Sequence, residues 1–306
     1  MQAAKMMMQT LPLYCLVACF FLVSVNALSS STLPPKLQDI RAISFDVTGT
    51  LVATREPVIQ SYYNAAVWAQ LPNLPSMDDM KTAFKSAYKE QCLSSPCFGG
   101  VEGISGREWW RGTVRKVLQH ATDDTFPYTE QEFDRYFRRV YQHFGSPKGY
   151  TVLEDAASLL EELSASSRQS SSPLVLGITS NTPTRHMESV LPMLDIHEHF
   201  SWFTCSQDVG HEKPSSQIFQ DAYDQARYWV NDLEKHQVLH IGDSLACDFC
   251  GAKAFGFQAL LLDRSDHPTV TAYQDWIEAP DYPGKSQDDV EKYTITDLNQ
   301  VHELLL

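Results

Sequence analysis

Short apolar runs alternate with amphipathic segments along the second half of the chain. Runs of β-branched and aliphatic residues predict buried strands at residues 174–179, 200–205, 238–241 and 258–262. Segments with apolar residues every three or four positions predict helices at residues 154–164, 184–194, 216–230 and 246–255. This alternation is typical of an α/β fold with a doubly wound parallel sheet and helices on both faces.

The remaining segments of this half are more polar. Residues 166–172 predict a surface loop, and the acidic, proline-containing residues 263–292 predict an extended flank. Residues 293–306 predict a last short strand and helix.

An earlier apolar run, residues 41–45, predicts one more buried strand, which ends at Asp46. Both faces of this strand need cover, so we expect it to join the later sheet. Between them lie four predicted amphipathic helices, at residues 59–70, 77–91, 108–120 and 130–144. We therefore predict a core domain of residues 39–55 and 151–306, interrupted by a helical insertion of residues 56–150. Ser105 and Glu108 predict a capping box at the start of the third helix, whose Trp109 and Trp110 are expected to pack rather than to bind a cofactor.

The first 27 residues have the features of a targeting segment. Lys5 is followed by an apolar run at residues 11–25 and by small residues suited to cleavage. We predict a signal peptide at residues 1–27 and a linker at residues 28–38, with entry into the secretory pathway and no stable membrane insertion after cleavage. An uncleaved anchor, a bipartite plastid leader, or a start-site artefact that leaves the protein in the cytoplasm or nucleus are the alternatives.

Composition excludes several classes of protein. Hydrophobic residues make up 43% of the 306 residues and charged residues 20%, which is typical of a folded globular chain. The formal net charge of −14 argues against a nucleic-acid partner. The oligomeric state is open.

Five cysteines follow the predicted signal peptide: Cys92, Cys97, Cys205, Cys247 and Cys250. Cys92 and Cys97 could close a small loop in an oxidising compartment. Cys247 and Cys250 form a C-x-x-C, but no second pair completes a zinc site and no thioredoxin-like context precedes them.

Polar residues follow each predicted strand where a parallel sheet binds its ligands. Asp46 follows the first strand, and Thr179, Ser180 and Asn181 end the second. Lys213 follows the third strand, and the fourth is followed by Asp243 and, one turn later, by Asp248. Three ionised carboxylates in a small volume require a cation, and oxygen ligands suit Mg²⁺. A carboxylate nucleophile, a divalent cation and a lysine are what in-line phosphoryl displacement needs.

Four segments carry a family resemblance: F-D-V-T-G-T at residues 45–50, T-S-N at 179–181, E-K-P-S-S-Q-I-F at 212–219 and G-D-S-L-A-C-D at 242–248. They resemble the four motifs of the haloacid dehalogenase-like (HAD) hydrolase superfamily, over about residues 39–262, and the insertion resembles its α-helical cap. The E-W-W of residues 108–110 is similar to the branch that includes the HAD-like hydrolase domain-containing protein 3 and rhythmically expressed gene 2 proteins.

The resemblance implies a role for each motif residue. Asp46 would attack phosphorus to form an aspartyl-phosphate on a small phosphorylated substrate. Mg²⁺ would be held by Asp46, the backbone carbonyl of Thr48 and Asp243, with Asp248 in support. Ser180 and the amide of Asn181 would bind phosphoryl oxygens, and Lys213 would neutralise charge and orient Asp46.

The sequence departs from the family pattern at Thr48, where most phosphatases of the superfamily carry a general-acid aspartate. A hydroxyl is no acid or base near neutral pH, so we expect poor hydrolysis of alkyl phosphates and better hydrolysis of good leaving groups. Two alternatives stay open: a non-enzymatic protein that binds a phosphorylated ligand or partner, and a dehalogenase-type hydrolase with an aspartate nucleophile. We regard His120, His143 and His211 only as weak candidates for catalytic residues.

Overall fold

The computed structural model describes residue 34 and residues 37–169, 174–270 and 276–305. The predicted signal peptide lies outside these residues, as does most of the predicted linker. No helix in the described part of the chain is long and apolar enough to cross a membrane.

Eight strands are present in the described residues. They are β1 (Ala42–Phe45), β2 (Val52–Thr54), β3 (Tyr150–Val152), β4 (Val175–Ser180), β5 (Trp202–Cys205), β6 (Val238–Gly242), β7 (Gln258–Leu262) and β8 (Thr294–Ile295). Six of them form one sheet in the order β5-β4-β1-β6-β7-β8, with parallel pairing throughout. The first strand lies at the centre, so the predicted α/β doubly wound fold is confirmed.

Helices surround this sheet and fill the insertion. They are α1 (Val58–Trp68), α2 (Met77–Ser94), α3 (Gly106–His120), α4 (Glu130–His143), α5 (Glu154–Gln169), α6 (Leu191–Met193), α7 (Ser206–Val209), α8 (Ser216–Ala226), α9 (Gly251–Phe255), α10 (Gln287–Lys292) and α11 (Gln300–Leu305). The side chains of β1 alternate between two apolar cores: Ile43 and Phe45 pack with α5, α6 and α11, whereas Ala42 packs with α8 and α9. Both faces of the sheet are thus covered by helices.

Helices α1 to α4, which we call the cap, have an apolar core of their own. Each helix contributes a buried side chain to it: Tyr62, Phe84, Val117 and Phe137. The predicted capping box at the start of α3 is formed, and α4 has a second one that was not predicted. The chain enters and leaves the cap through the antiparallel pair β2 and β3, which was also not predicted because three-residue strands show no periodicity.

Several predicted helix boundaries are wrong. The helix predicted at residues 184–194 is a π-helical turn, His186–Val190, followed by the short α6. The helix predicted at 246–255 begins with a π-helical turn, Leu245–Cys250, before α9. The helix predicted at 216–230 ends at Ala226, and α5 extends to Gln169, into the predicted loop. Residues 263–292 are not wholly extended, because α10 lies among them, whereas β8 and α11 confirm the last strand and helix. π-turns preserve apolar spacing over one or two turns, so the pattern of the sequence does not distinguish them from α-helix.

Candidate active site

Asp46 is the first residue after β1, and its backbone continues the sheet by donating from its amide to the carbonyl of Ile241 at 2.9 Å. Its carboxylate is 10% exposed and lies at the edge of a cavity. Oδ1 accepts two hydrogen bonds, from Lys213 Nζ at 2.7 Å and from Ser180 Oγ at 2.9 Å. Among the described residues, no hydrogen bond reaches Oδ2. One carboxylate oxygen is therefore fixed and the other is available.

The ammonium group of Lys213 is the buried cation of the site, with only 1% of the side chain exposed. Nζ donates to Asp46 Oδ1 at 2.7 Å, to Asp248 Oδ1 at 2.5 Å and to the carbonyl of Thr179 at 2.7 Å. These three acceptors use all three of its protons. Asn181 fixes the backbone of this lysine, because its side-chain amide donates to the Lys213 carbonyl and accepts from the Lys213 N–H.

The structure gives the Asn181 side chain this positioning contact, which sequence reasoning did not foresee. The predicted phosphoryl contact concerned its backbone amide and stays a prediction. Ser180 lies where predicted, at the end of β4, with its hydroxyl on Asp46.

Asp248 is more completely engaged than any other carboxylate here. Besides Lys213, Oδ1 accepts from His240 Nε2 at 3.0 Å, and Oδ2 accepts from the backbone N–H of Ser244 at 2.9 Å. The π-helical turn after β6 brings the carboxylate back over its own N-terminus to make this last bond. We infer that Asp248 anchors Lys213.

A buried polar chain lies beneath the site and was missed by sequence reasoning. His240 Nδ1 lies 3.0 Å from Ser44 Oγ, which lies 2.7 Å from Thr179 Oγ1. Since the carboxylate of Asp248 can only accept, Nε2 of His240 carries a proton. The available signal was a polar residue inside each of two apolar runs, and the pairing of Ser44 with His240 in the sheet register brings the two together.

Asp243 completes a group of three carboxylates, with Asp46 and Asp248, whose ligand atoms lie within 4.8 Å of one another. No ion pair to Asp243 occurs in the described part of the chain. Gly49 lies directly against its carboxylate, and a Cβ at that glycine would overlap it. Thr48 is exposed at the edge of the same cavity.

The pKa values follow from these contacts. Burial raises the pKa of Asp46, against the opposing charge of Lys213. Burial and the charges of Asp46 and Asp248 raise the pKa of Asp243 well above its usual range. Burial disfavours ionised Asp248 as well, but the charge of Lys213 and the hydrogen bond from His240 outweigh it and hold the pKa of Asp248 low. Burial likewise disfavours charged Lys213, yet Asp248 and Asp46 raise its pKa.

These directions show that one lysine is too little positive charge for three ionised carboxylates. A cluster of hard oxygen donors with excess negative charge fits a divalent cation such as Mg²⁺. The residues that could hold one are Asp46, Asp243 and the carbonyl of Thr48, with Asp248 beside them.

One cavity of about 540 Å³ extends from these residues into the cap. Trp110, Arg185 and His186 line it, whereas Trp109 is buried and donates to the Ser95 carbonyl. Sequence reasoning assigned both tryptophans to packing, and this is confirmed: Trp109 is buried, and Trp110 packs against the core of the cap while it also lines the cavity. The loose candidates His120, His143 and His211 are not among the lining residues.

Cys247 lines the cavity, but none of the described cysteines forms a disulfide. All five cysteines of the described residues are free thiols, including Cys92 and Cys97. The C-x-x-C at Cys247 and Cys250 forms neither a disulfide nor a metal cluster in the described part of the chain.

The fold and the site define the class of protein: an α/β protein with an aspartate and a lysine at the carboxyl edge of a parallel sheet, covered by a helical cap. The chain belongs to the haloacid dehalogenase-like hydrolase family, which residues 40–256 match. It is 30% identical over 243 residues to mouse haloacid dehalogenase-like hydrolase domain-containing protein 3, covering 78% of this chain and 87% of that protein. It is 23% identical over 237 residues to the rhythmically expressed gene 2 protein of Drosophila melanogaster, covering 76% and 86%. The predicted family resemblance is confirmed.

Solved structures share the fold. A protein described as a predicted phosphoglycolate phosphatase from Haemophilus somnus superposes with a TM-score of 0.55 at 18% identity, covering 88% of this chain and 99% of that one. At this identity the likeness concerns the fold alone.

Proposed function

We propose that this hydrolase is a Mg²⁺-dependent enzyme that cleaves phosphate esters or acyl phosphates, or transfers their phosphoryl group, through Asp46. The proposal rests on the hydrogen bonds of the Asp46 carboxylate. Lys213 and Ser180 both bond to Oδ1, and Oδ2 faces no competing donor among the described residues. A nucleophile held at one oxygen is oriented for attack by the other.

The chain's own residues supply the remaining steps. Lys213 stabilises negative charge that develops on the phosphoryl oxygens, and the Ser180 hydroxyl is close enough to Asp46 to bind one of them. Asp46, Asp243 and the Thr48 carbonyl would hold Mg²⁺, which when bound supplies charge neutralisation at the transferred phosphoryl group.

Thr48 sets the limit on leaving groups. No carboxyl at this position protonates the departing oxygen, a contribution typically worth ~10²–10⁴ in rate. The loss of rate is smallest for substrates whose leaving group departs as a stable anion. The same absence leaves no base for water at this position, so we expect an aspartyl-phosphate on Asp46 to be long-lived.

Retention of both Asp243 and Asp248 favours phosphate over a carbon–halogen substrate. Hydrolysis of a haloacid by an aspartate nucleophile needs no metal, and extra carboxylates would only oppose the ionised nucleophile. A bound divalent cation would offset the repulsion among the three carboxylates and would also neutralise the charge of a phosphoryl group.

The test uses the protein with and without Mg²⁺ and with 4-nitrophenyl phosphate or acetyl phosphate. We expect turnover that requires Mg²⁺ and is abolished in Asp46→Asn. Asp232→Asn is the matched control, because Asp232 is exposed and its φ of 52° suits asparagine. Acid-quenched samples analysed by mass spectrometry should contain the phosphorylated chain.

Two outcomes would overturn the proposal. Absence of turnover that depends on both Mg²⁺ and Asp46 would favour a non-enzymatic binding protein. Metal-independent release of halide from a 2-haloacid, lost in Asp46→Asn, would identify a dehalogenase instead.

A further inference from the structure

The cavity that begins at Asp46 has an aromatic interior. Beyond the sheet edge its wall is formed by rings from every helix of the cap and from β3. Its volume of about 540 Å³ lies within the range of sites for small organic ligands, and it exceeds what a phosphoryl group alone would occupy.

Seven of the lining rings form an unbroken series of ring contacts. Successive centroids are 5.3 to 6.0 Å apart along the series Trp110, Tyr88, Phe84, Tyr62, Phe144, Tyr150 and His186. These spacings are those of stacked and edge-to-face pairs. The lining of the cavity therefore consists largely of rings in several orientations.

Charge is distributed unevenly along this cavity. Every carboxylate among the described lining residues, Asp46, Asp243 and Asp248, lies at the sheet edge. Burial lowers the pKa of His186 to about 4, so its imidazole is neutral near pH 7. Arg185 is a further charged side chain of the lining, with its guanidinium over the ring of Tyr141. A substrate rich in hydroxyl groups would place many of them against rings, and unpaired buried hydroxyls weaken binding.

We propose that the organic group of the substrate is aromatic, so that the enzyme acts on aryl phosphates, with the aryl ring bound against the wall of Trp110, Tyr88 and Phe84. The inference rests on the proposed function, which it deepens by naming the substrate class. It also accounts for Thr48, because an aryloxide is a stable anion that leaves without a proton from a general acid.

The reaction balances without any further reactant. Asp46 Oδ2 attacks phosphorus, and the bond from phosphorus to the aryl oxygen breaks with its electron pair on that oxygen. The aryloxide takes a proton from water and leaves a hydroxide ion. A second water then attacks phosphorus of the aspartyl-phosphate, the bond from phosphorus to Oδ2 breaks with its electron pair on Oδ2, and inorganic phosphate and the Asp46 carboxylate are released. The proton that this water loses neutralises the hydroxide.

Binding is measured separately from chemistry with phosphonates, whose carbon–phosphorus bond is not cleaved. The Mg²⁺-loaded protein is titrated by calorimetry with methylphosphonate, cyclohexylphosphonate and 1-naphthylphosphonate. We expect 1-naphthylphosphonate to bind at least tenfold more tightly than methylphosphonate, from the apolar area it buries, and also more tightly than cyclohexylphosphonate, from ring stacking.

A substitution in the cap tests whether the preference for an aromatic phosphonate depends on the rings that line the cavity. In Trp110→Ala we expect the affinity ratio of 1-naphthylphosphonate to methylphosphonate to fall about fivefold or more. Trp229→Ala is the matched control, since Trp229 is 60% exposed and lies outside this cavity. The use of a ratio within one protein removes any general effect on folding.

The outcomes separate the inference from the proposed function. Equal affinities for the three phosphonates, no binding of any, or an unchanged ratio in Trp110→Ala would overturn the aromatic substrate class. Turnover of acetyl phosphate together with equal affinities would overturn the inference alone. Preferential binding of 1-naphthylphosphonate with no Asp46-dependent turnover of 1-naphthyl phosphate would support the binding preference and overturn the proposed hydrolysis.

Discussion

Gly49 has a left-handed backbone conformation and also lies in direct contact with the candidate active site. Its φ is +93°, and its N–H donates to the carbonyl of Val52 at 2.8 Å, which fixes the loop. A methyl group at this Cα would overlap the carboxylate of Asp243. Gly49→Ala therefore tests whether the loop after β1 must lie directly against the group of three carboxylates.

The expected loss of stability in Gly49→Ala has two parts. A side chain in left-handed backbone costs ~1–2 kcal/mol, and forcing a methyl group into an occupied space typically costs a further ~1–3 kcal/mol. We expect a loss of ~2–5 kcal/mol in the free energy of unfolding, and a displaced Asp243 carboxylate. Gly284→Ala isolates the first part, because Gly284 has φ of +84° and an added Cβ would meet no atom within 4 Å.

The assay is urea unfolding followed by tryptophan fluorescence, with Mg²⁺-dependent turnover of an aryl phosphate measured in parallel. Gly284→Ala should lose ~1–2 kcal/mol and keep its activity, and Gly49→Ala should lose more stability and at least tenfold in kcat/KM. Equal stability losses in the two variants, with activity retained in both, would refute the reasoning, because the overlap with Asp243 would then have no consequence.

Three further predictions concern other parts of the chain. Arg185 stacks on Tyr141, with its guanidinium 3.8 Å from the ring centroid, and makes no ion pair among the described residues, so Arg185→Met should raise KM about tenfold more for 4-carboxyphenyl phosphate than for phenyl phosphate. Equal increases in KM for both substrates would count against this role. Burial raises the pKa of Cys92 and Cys97 to about 12, so their alkylation at pH 8, followed by mass spectrometry, should be roughly 10³-fold slower in the folded protein than in urea. Burial lowers the pKa of His186 from 6.5 to about 4, so the unfolded chain binds a proton first as the pH falls, and stability drops. The free energy of unfolding falls between pH 7 and pH 5, and in His186→Gln this fall should be about 2 kcal/mol smaller than in the unchanged protein. The same fall in both proteins would contradict this prediction.

The sequence predicted the α/β core because parallel strands buried on both faces are short, continuous apolar runs. The strand before Asp46 and the strand before Asp243 were recognisable in this way, and the polar residues after them were expected to converge. The β2–β3 pair was not predictable because three-residue strands are too short to show a period. The π-helical turns were not predictable because segments of five and six residues are too short for their apolar spacing to differ from that of an α-helix.

The missed parts of the site depend on tertiary neighbours. Ser44 and His240 are 196 residues apart and meet only through the register of β1 and β6. Trp110 lines the cavity while the adjacent Trp109 is buried, a difference set by which side of α3 faces the core of the cap. A pattern of apolar spacing identifies the buried face of a helix but does not reveal an open volume beside it.

The partners of the three carboxylates assign them different tasks. Asp248 is committed to Lys213, His240 and the Ser244 amide, Asp46 is held at one oxygen, and Asp243 makes no ion pair in the described part of the chain. With all groups ionised, three negative charges and one positive charge leave two negative charges in a buried site. A divalent cation cancels that excess, whereas a monovalent one leaves half of it. Neutrality before substrate arrives matters because the proposed phosphorylated substrate is an anion, and an uncancelled negative excess would repel it from Asp46.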